Sequence, residues 1–226
     1  MAIERKQQVS VFIISFLMML SVVGGTLLFV LQSNQAERES DERQEIAAQQ
    51  ERATACRSAG ADFTNEDLEI PDVYTVDENT SELVTEDLKE GDGAEVVSGD
   101  CVVINYHGNL AVDGGVFDSS FERDNPFSTF IGESQVIEGW DQGVVGMKVG
   151  GVRRLVIPYE LAYGEEGRTI DPFTGELVKD KVDVEEDVDP NIAVDSDEDG
   201  KVDYIPRESD LVFEVELLDI VDLDEE

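Results

Sequence analysis

Val136-Ile137-Glu138-Gly139-Trp140 is the stretch of this sequence that says most about the fold. It contains the only tryptophan of the chain and lies between Phe127 and a glycine-rich run from Gly143 to Gly151. Two β-branched residues followed by a large flat ring are typical of the floor of a small apolar pocket. A lone tryptophan is also common as ordinary core, because aromatic rings bury large areas. The surrounding residues decide between these two interpretations.

The flanking segments have the composition and period of β-strands. Residues 101–106, 152–157 and 211–220 are rich in β-branched and aromatic residues and predict three strands. Val112-Asp113-Gly114-Gly115-Val116 has the composition of a hairpin turn. Residues 138–144 predict one short helix. Several strands with one short helix favour an α+β architecture, in which an antiparallel sheet packs against the helix.

The length and charge of the chain limit its domain count and the classes of function open to it. Its 226 residues can hold one domain with accessory segments. The formal net charge of -37 excludes a general nucleic-acid binder, because phosphate backbones require lysine and arginine. The acidity is compatible with cationic partners, with a high-salt habitat, or simply with a solvated acidic surface.

The two cysteines, Cys56 and Cys101, are too few for a disulfide framework, and their spacing matches no zinc site. Two interpretations stay open. The two residues form one disulfide if the domain lies in an oxidising compartment. Alternatively, Cys101 is a buried thiol within its apolar strand.

Residues 9–31 contain no charged residue and predict a transmembrane helix, which needs roughly 20 apolar residues. The run exceeds the apolar region of about 7–15 residues in a cleaved signal peptide, so an uncleaved anchor is favoured. Arg5 and Lys6 precede it and acidic residues follow it. The positive-inside tendency therefore predicts a short cytoplasmic N-terminus, residues 1–8, and an extracytoplasmic domain on a single-pass membrane protein.

The remaining chain divides into three parts. Residues 32–82 contain a charged stalk and a lead-in. The stalk, residues 34 to about 53, is helical or extended. The lead-in, residues 54–81, is expected to dock on the domain. Residues 83–222 are the folded domain, and residues 223–226 are an acidic tail.

Eight short motifs follow one another along the domain: Glu90-Gly91-Asp92-Gly93, residues 103–108, Phe117-Asp118-Ser119-Ser120, Asn125-Pro126-Phe127, residues 136–140, residues 146–150, residues 157–164 and residues 211–218. Their order and spacing resemble those of the FKBP-type peptidyl-prolyl isomerases. The resemblance covers about residues 83–222, apart from an acidic insertion at roughly 165–203 in the loop that overhangs the pocket of the family.

This resemblance implies a twisted antiparallel sheet wrapped around a short helix and a cis-trans isomerase that needs no cofactor. It implies that proline-containing peptides and unfolded exported proteins are substrates, and that macrolides are further ligands. Trp140 would form the pocket floor, the Ile137 N–H and the Tyr163 hydroxyl would donate hydrogen bonds to the ligand, and Asp118 would pair with Arg123. The implied site residues are Tyr106, Phe117, Asp118, Arg123, Phe127, Val136, Ile137, Trp140, Tyr163, Ile205 and Phe213.

Such residues suit the reaction. Rotation about a prolyl amide is slow because it breaks resonance, with a barrier of roughly 18–20 kcal/mol. A dry apolar pocket favours the twisted amide, which has less charge separation than the planar one, and fixed donors hold the substrate carbonyls. The single histidine, His107, has no evident nucleophile beside it, and we interpret it as a structural or surface residue.

Two departures from the family pattern stand out. Relatives often have a second pocket aromatic where Thr129 falls, so either Phe130 replaces it or this wall is less aromatic. Inside the insertion, carboxylates at positions 1, 3, 5 and 9 with Gly200 at position 6 resemble a calcium-binding loop, although position 12 is Pro206. The candidate calcium ligands are Asp195, Asp197, Asp199, the Lys201 carbonyl and Asp203. The alternative is an acidic surface loop with fortuitous spacing.

Two classes of function follow. The first is a membrane-tethered isomerase that assists the folding of exported proteins, and calcium binding in the insertion would be a means of gating it. The second is a non-catalytic binding module or chaperone that uses the pocket and the acidic insertion. The joint presence of the pocket residues favours the enzyme.

Overall fold

The computed structural model describes residues 35, 38–63, 69–121, 123, 125–170, 177–178, 201–202 and 204–223. The chain divides into two units, Met1–Arg52 and Ala53–Glu226. The predicted transmembrane segment, residues 9–31, and most of the predicted acidic tail lie outside the described residues. None of the described helices is long and apolar enough to span a membrane.

Helix α1 occupies residues 38–59 and includes most of the predicted stalk. Its residues up to Arg52 are exposed, as expected for a segment rich in Glu, Arg, Gln and Ala, which are good helix formers. Glu39 and Arg43 face each other one turn apart, with 3.9 Å between carboxylate and guanidinium. A pair so exposed contributes little to stability. A 3-10 turn at Gly60–Asp62 follows the helix.

The second unit contains a six-stranded antiparallel sheet. Its strands are β1 (Val84–Lys89), β2 (Cys101–Leu110), β3 (Val116–Ser119), β4 (Phe127–Phe130), β5 (Val152–Ile157) and β9 (Leu211–Val221). They have the order β1-β5-β9-β2-β3, and β4 also pairs with β2. The predicted strands at 101–106, 152–157 and 211–220 and the predicted hairpin between β2 and β3 are confirmed.

One face of this sheet packs on helix α2 (Glu138–Gly143), which confirms the predicted short helix. Two glycines let the helix approach β5. A Cβ at Gly139 would lie 2.3 Å from Cγ2 of Ile157, and one at Gly143 would lie 2.8 Å from Cδ2 of Leu155. The side-chain-free face of the helix therefore rests on the side chains of Ile157 and Leu155, and Trp140 is buried in the main core.

The opposite face of the sheet is covered by the lead-in. The Val76 N–H donates to the Ala111 carbonyl at 2.8 Å, and the Asn109 amide donates to the Tyr74 carbonyl at 2.9 Å. The Arg154 guanidinium lies over the Tyr74 ring, 4.0 Å from its centroid. The predicted domain start at 83 coincides with the first strand, but the compact unit extends back to residue 53.

Cys56 and Cys101 form a disulfide, which settles the question that the sequence leaves open. Both residues are buried in a small apolar cluster with Phe130, separate from the main core. The bond therefore links the end of helix α1 to the first residue of β2.

Within the insertion, only residues 165–170, 177–178 and 201–202 are described. Strands β6 (Arg168–Ile170), β7 (Leu177–Val178) and β8 (Tyr204–Ile205) form a three-stranded sheet with the order β7-β6-β8. Residues 201–202, which precede β8, are joined to β3, because Val202 donates its N–H to the Val116 carbonyl at 2.8 Å. Of the five candidate calcium ligands, only Lys201 belongs to the described residues, which contain no metal-binding group of acidic, histidine or cysteine side chains.

Replacing both Cys56 and Cys101 by serine should lower the free energy of unfolding by about 2–4 kcal/mol, because the bond closes a long loop in the unfolded chain. Urea denaturation of the variant and of the oxidised protein measures the difference. The fluorescence of Trp140 in the folded variant should match that of the oxidised protein, because the pair lies outside the core that contains this residue. Identical denaturation midpoints would contradict a stabilising role.

Candidate active site

Five aromatic rings, each from a different element, meet around Trp140 of helix α2. The Trp140 ring lies edge-on to Phe213 and to Tyr106, with ring centroids 5.2 and 5.3 Å apart. Phe117 meets Phe213 edge-on at 5.4 Å. Phe127 contacts Tyr106 and Trp140 at 5.9 and 6.1 Å. Four of the rings are buried, whereas Phe127 is 36% exposed and forms part of the rim.

A glycine on β2 makes room for this cluster. A Cβ at Gly108 would lie 2.8 Å from Cε1 of Phe213 and 2.9 Å from Cζ of Phe117. Any side chain at this position would displace one of the two rings. The tyrosine-histidine-glycine sequence in β2 thus supplies one pocket ring, Tyr106, and the space for two others.

Asp118, Arg123 and the Tyr106 hydroxyl form a polar network at the edge of the rings. The Tyr106 hydroxyl donates to the Asp118 carboxylate and accepts an N–H of Arg123 at 2.7 Å. Arg123 also pairs directly with Asp118, so the predicted contact between them is present. Ser120 fixes the strand that carries Asp118, because its hydroxyl accepts the Tyr106 N–H at 2.8 Å. Each hydrogen-bonding group at this edge therefore has a fixed orientation.

The electrostatics keep two pocket hydroxyls protonated. Burial raises the pKa of Tyr106, and the negative charge of Asp118 adds to this effect. Burial and the Asp118 charge likewise raise the pKa of Tyr163. Both groups are therefore hydrogen-bond donors over the whole physiological pH range.

Asp141 orders the loop that leads into helix α2. Its carboxylate accepts the Gly132 N–H at 2.7 Å and the Ser134 N–H at 3.0 Å. The loop needs this support, because Ser134 has a φ of 57°, in the left-handed region. Ile137 follows as the cap residue of the helix and packs, with Val136, against the aromatic core.

Asp210 orders the opposite side of the pocket. Its buried carboxylate accepts N–H bonds from Thr80 and, at 2.9 Å, from Tyr159. Burial raises the pKa of this carboxyl, and the two N–H donors oppose the shift. Asp210 thus ties the lead-in and the segment before Tyr163 to the start of β9.

The structure brings all eleven predicted site residues together. Tyr106, Phe117, Trp140, Ile205 and Phe213 are buried in one core cluster, against which the half-buried Val136, Ile137 and Tyr163 pack. The remaining three, Asp118, Arg123 and Phe127, contact Tyr106 from the rim.

The structure also answers two smaller sequence questions. Phe130 does not replace the missing pocket aromatic, because it packs with Cys56 and Cys101 in the separate cluster, and the buried Thr129 leaves that part of the wall less aromatic. His107 is buried, as expected of a structural residue. Sequence analysis missed Asp141 and Asp210, since their hydrogen bonds reach backbone groups 7 to 130 residues away.

The arrangement can hold an apolar ring against Trp140 while fixed groups at its edge bind the attached peptide. An antiparallel sheet on a short helix with such an aromatic cluster is the arrangement that the resemblance to the FKBP-type isomerases implies. The family model of the FKBP-type peptidyl-prolyl cis-trans isomerases matches residues 93–218, more than half of the chain. The chain belongs to this family, and it is an enzyme of that activity, which needs no cofactor and acts on proline-containing substrates.

Several known proteins are similar to parts of this chain. An FK506-binding protein of Streptomyces anulatus is 45% identical over 101 residues, which cover 44% of this chain and 82% of that protein. One of Neisseria meningitidis serogroup B is 48% identical over 85 residues, covering 38% and 77%. A peptidyl-prolyl cis-trans isomerase of Saccharomyces cerevisiae is 38% identical over 126 residues, covering 56% and 69%. The crystal structure of AtFKBP13 matches 64% of this chain and 98% of its own, at 32% identity and a TM-score of 0.45.

Tyr106 and Tyr163 should stay protonated as the pH rises through 10.0, the ordinary tyrosine pKa, because both pKa values are raised in the folded state. The stability that these two groups contribute is complete below that pH and is lost as the pH rises towards their folded pKa values. Ultraviolet absorbance of tyrosinate measures the ionisation. In the folded protein, Tyr106→Phe and Tyr163→Phe should leave the absorbance change through pH 10 unaltered.

Denatured protein provides the control. The chain has five tyrosines, so in denaturant each variant should lose one fifth of the absorbance change of the wild type. Loss of the same fraction in the folded state would show that the pocket hydroxyls titrate normally.

Proposed function

We propose that this isomerase binds the proline ring of its substrate on Trp140 and holds the flanking carbonyls with the Ile137 N–H and the Tyr163 hydroxyl. The edge-to-face cluster around Trp140 carries the proposal, because it surrounds the indole with Tyr106, Phe213 and Phe127. Within the described part of the chain, no hydrogen-bond acceptor contacts the Ile137 N–H. That donor faces no internal competition for a substrate carbonyl.

The proposed chemistry is non-covalent. The planar amide has more charge separation than the twisted one, so a buried aromatic environment stabilises the twisted form relative to the planar form. Fixed donors add to this by holding both sides of the prolyl bond in one geometry. The Tyr106–Asp118–Arg123 network keeps the edge of the pocket rigid at no cost to its apolar floor.

Tyr163→Phe should lower kcat/KM for X–Pro isomerisation about two- to tenfold, the usual net effect of losing one hydrogen bond. A peptide assay at saturating and limiting substrate measures it. Tyr74→Phe is the matched control, because Tyr74 lies in the lead-in, on Arg154. Equal activities of Tyr163→Phe and wild type would remove the hydroxyl from the mechanism.

The family resemblance and the printed names of the bacterial relatives support a second ligand class, the macrolides. We propose that FK506 occupies the same pocket and competes with the prolyl substrate. Because Thr129 stands where relatives often have an aromatic residue, the pocket wall offers less aromatic contact area to such a ligand. Inhibition of isomerisation by FK506 is the check, and undiminished activity at saturating FK506 would oppose the assignment.

We also propose that the enzyme assists the folding of exported proteins from a membrane anchor at residues 9–31. The uncharged run of 23 residues supports the anchor. The Cys56–Cys101 disulfide supports the location, because disulfides persist in oxidising compartments and are rare in the cytosol.

This topology predicts that the full-length protein sediments with membranes and that protease added to intact cells degrades the isomerase domain. Blotting with an antibody against the C-terminal region, before and after permeabilisation, measures the protection. A soluble full-length protein that is protected in intact cells would contradict the anchor and the orientation.

For the insertion, we propose that the loop at 195–203 binds Ca²⁺ through Asp195, Asp197, Asp199, the Lys201 carbonyl and Asp203. The attachment of Lys201 and Val202 to Val116 supports a link to the pocket, because Phe117 and Asp118 follow on the same strand. Calorimetry should show heat of Ca²⁺ binding with the wild type and none with Asp197→Ala plus Asp199→Ala. No heat with either protein would end the idea, and equal isomerase rates with calcium and with chelator would exclude gating.

A further inference from the structure

Arg168 lies beside the pocket hydroxyl of Tyr163. Its guanidinium carbon is 5.5 Å from the centroid of the Tyr163 ring, within the range of a cation–π contact. The backbone of Arg168 pairs with Ile205, a buried residue of the pocket core. Gly167 allows this close approach, because a Cβ there would lie 2.3 Å from the Ile205 carbonyl oxygen. The position of the cation is therefore set by the pocket itself.

The charge of Arg168 is not neutralised by the described residues, none of which places a carboxylate within ion-pair distance of it. Other arginines of the domain do have such partners: Arg153 pairs with Asp87, and Arg154 pairs with Glu86 and Glu214. The neighbouring acids Glu165 and Glu166 are exposed. In a chain with a net charge of -37, a cation beside a pocket residue that has no carboxylate partner among the described residues is a specific local feature.

The two charged groups that act on the Tyr163 hydroxyl differ in their partners. Asp118 is already paired with Arg123, so it is not available to Arg168. Burial raises the pKa of Tyr163, the charge of Asp118 adds to this effect, and the charge of Arg168 opposes it. Of the two charged groups, Arg168 is therefore the one that can pair with a substrate carboxylate beside this hydroxyl.

We propose that Arg168 is a specificity-determining residue that selects substrates with aspartate or glutamate next to the proline. This inference rests on the proposed contact between Tyr163 and the substrate. The planar guanidinium can bind a carboxylate with two parallel hydrogen bonds while one face stays on the tyrosine ring. The field of the acidic chain repels such peptides at long range, so the selectivity arises only on contact.

The test uses the full-length chain in detergent and two peptide series, in which the residue before or after proline is Glu, Gln or Lys. In at least one series, the wild type should have a kcat/KM for the Glu peptide about three- to tenfold above that for the Gln peptide, as expected for one contact charge at a partly exposed site. Arg168→Gln should bring this ratio to about one. Arg168→Lys, which keeps the charge, should retain a ratio above that of Arg168→Gln.

Arg207→Gln is the matched control, because it makes the same change in net charge at an exposed residue near β8. It should leave the Glu-to-Gln ratio at the wild-type value. An unchanged ratio in Arg168→Gln, an equal change in Arg207→Gln, or identical ratios in the two Arg168 variants would each overturn the inference. Failure of the proposed function is distinguishable, since Tyr163→Phe would then leave kcat/KM unchanged for every peptide.

Discussion

The antiparallel pairing of β2 with β9 is the interaction on which the rest of the domain depends. It runs from Cys101 opposite Val221 to Leu110 opposite Leu211 and places Gly108 opposite Phe213. That one juxtaposition lets Phe213 reach Phe117 and Trp140 across the bare backbone of Gly108. A shift of the register by one residue would turn Phe213 to the other face of the sheet and empty the pocket of its central ring.

The fold could be predicted from the sequence because its information is local and periodic. The alternation in β9 and the apolar run of β2 indicate strands, and the short segment around Trp140 indicates a helix between them. The eleven candidate site residues came from the family resemblance, and the structure places eight of them in or against one core cluster. The contacts that hold the pocket in shape did not follow, because a carboxylate such as Asp210 gives no sign in the sequence of which distant N–H it will accept. The partnership of Cys56 with Cys101 depended in the same way on distances that spacing does not encode.

The few basic residues of the domain are used at structurally demanding places. Arg153 donates to Asp87 on β1 through two of its nitrogens. Its third nitrogen, Nη1, donates to the carbonyls of Gly143 and Val145 at the end of helix α2. The guanidinium thereby satisfies carbonyls that a helix leaves unpaired at its C-terminus. Arg154 joins three elements in a similar way, through Glu86, Glu214 and the ring of Tyr74. Two arginines of this acidic chain thus join several elements of the described domain.

The disulfide also determines how the domain responds to tension. Tension applied at the N-terminal end of the chain passes from Cys56 across the sulfur–sulfur bond to Cys101, at the start of β2. The 44 residues between them, including the lead-in and β1, lie outside this load path. A pull on the stalk would therefore load the central strand of the sheet directly, without first peeling away the segment that covers its outer face.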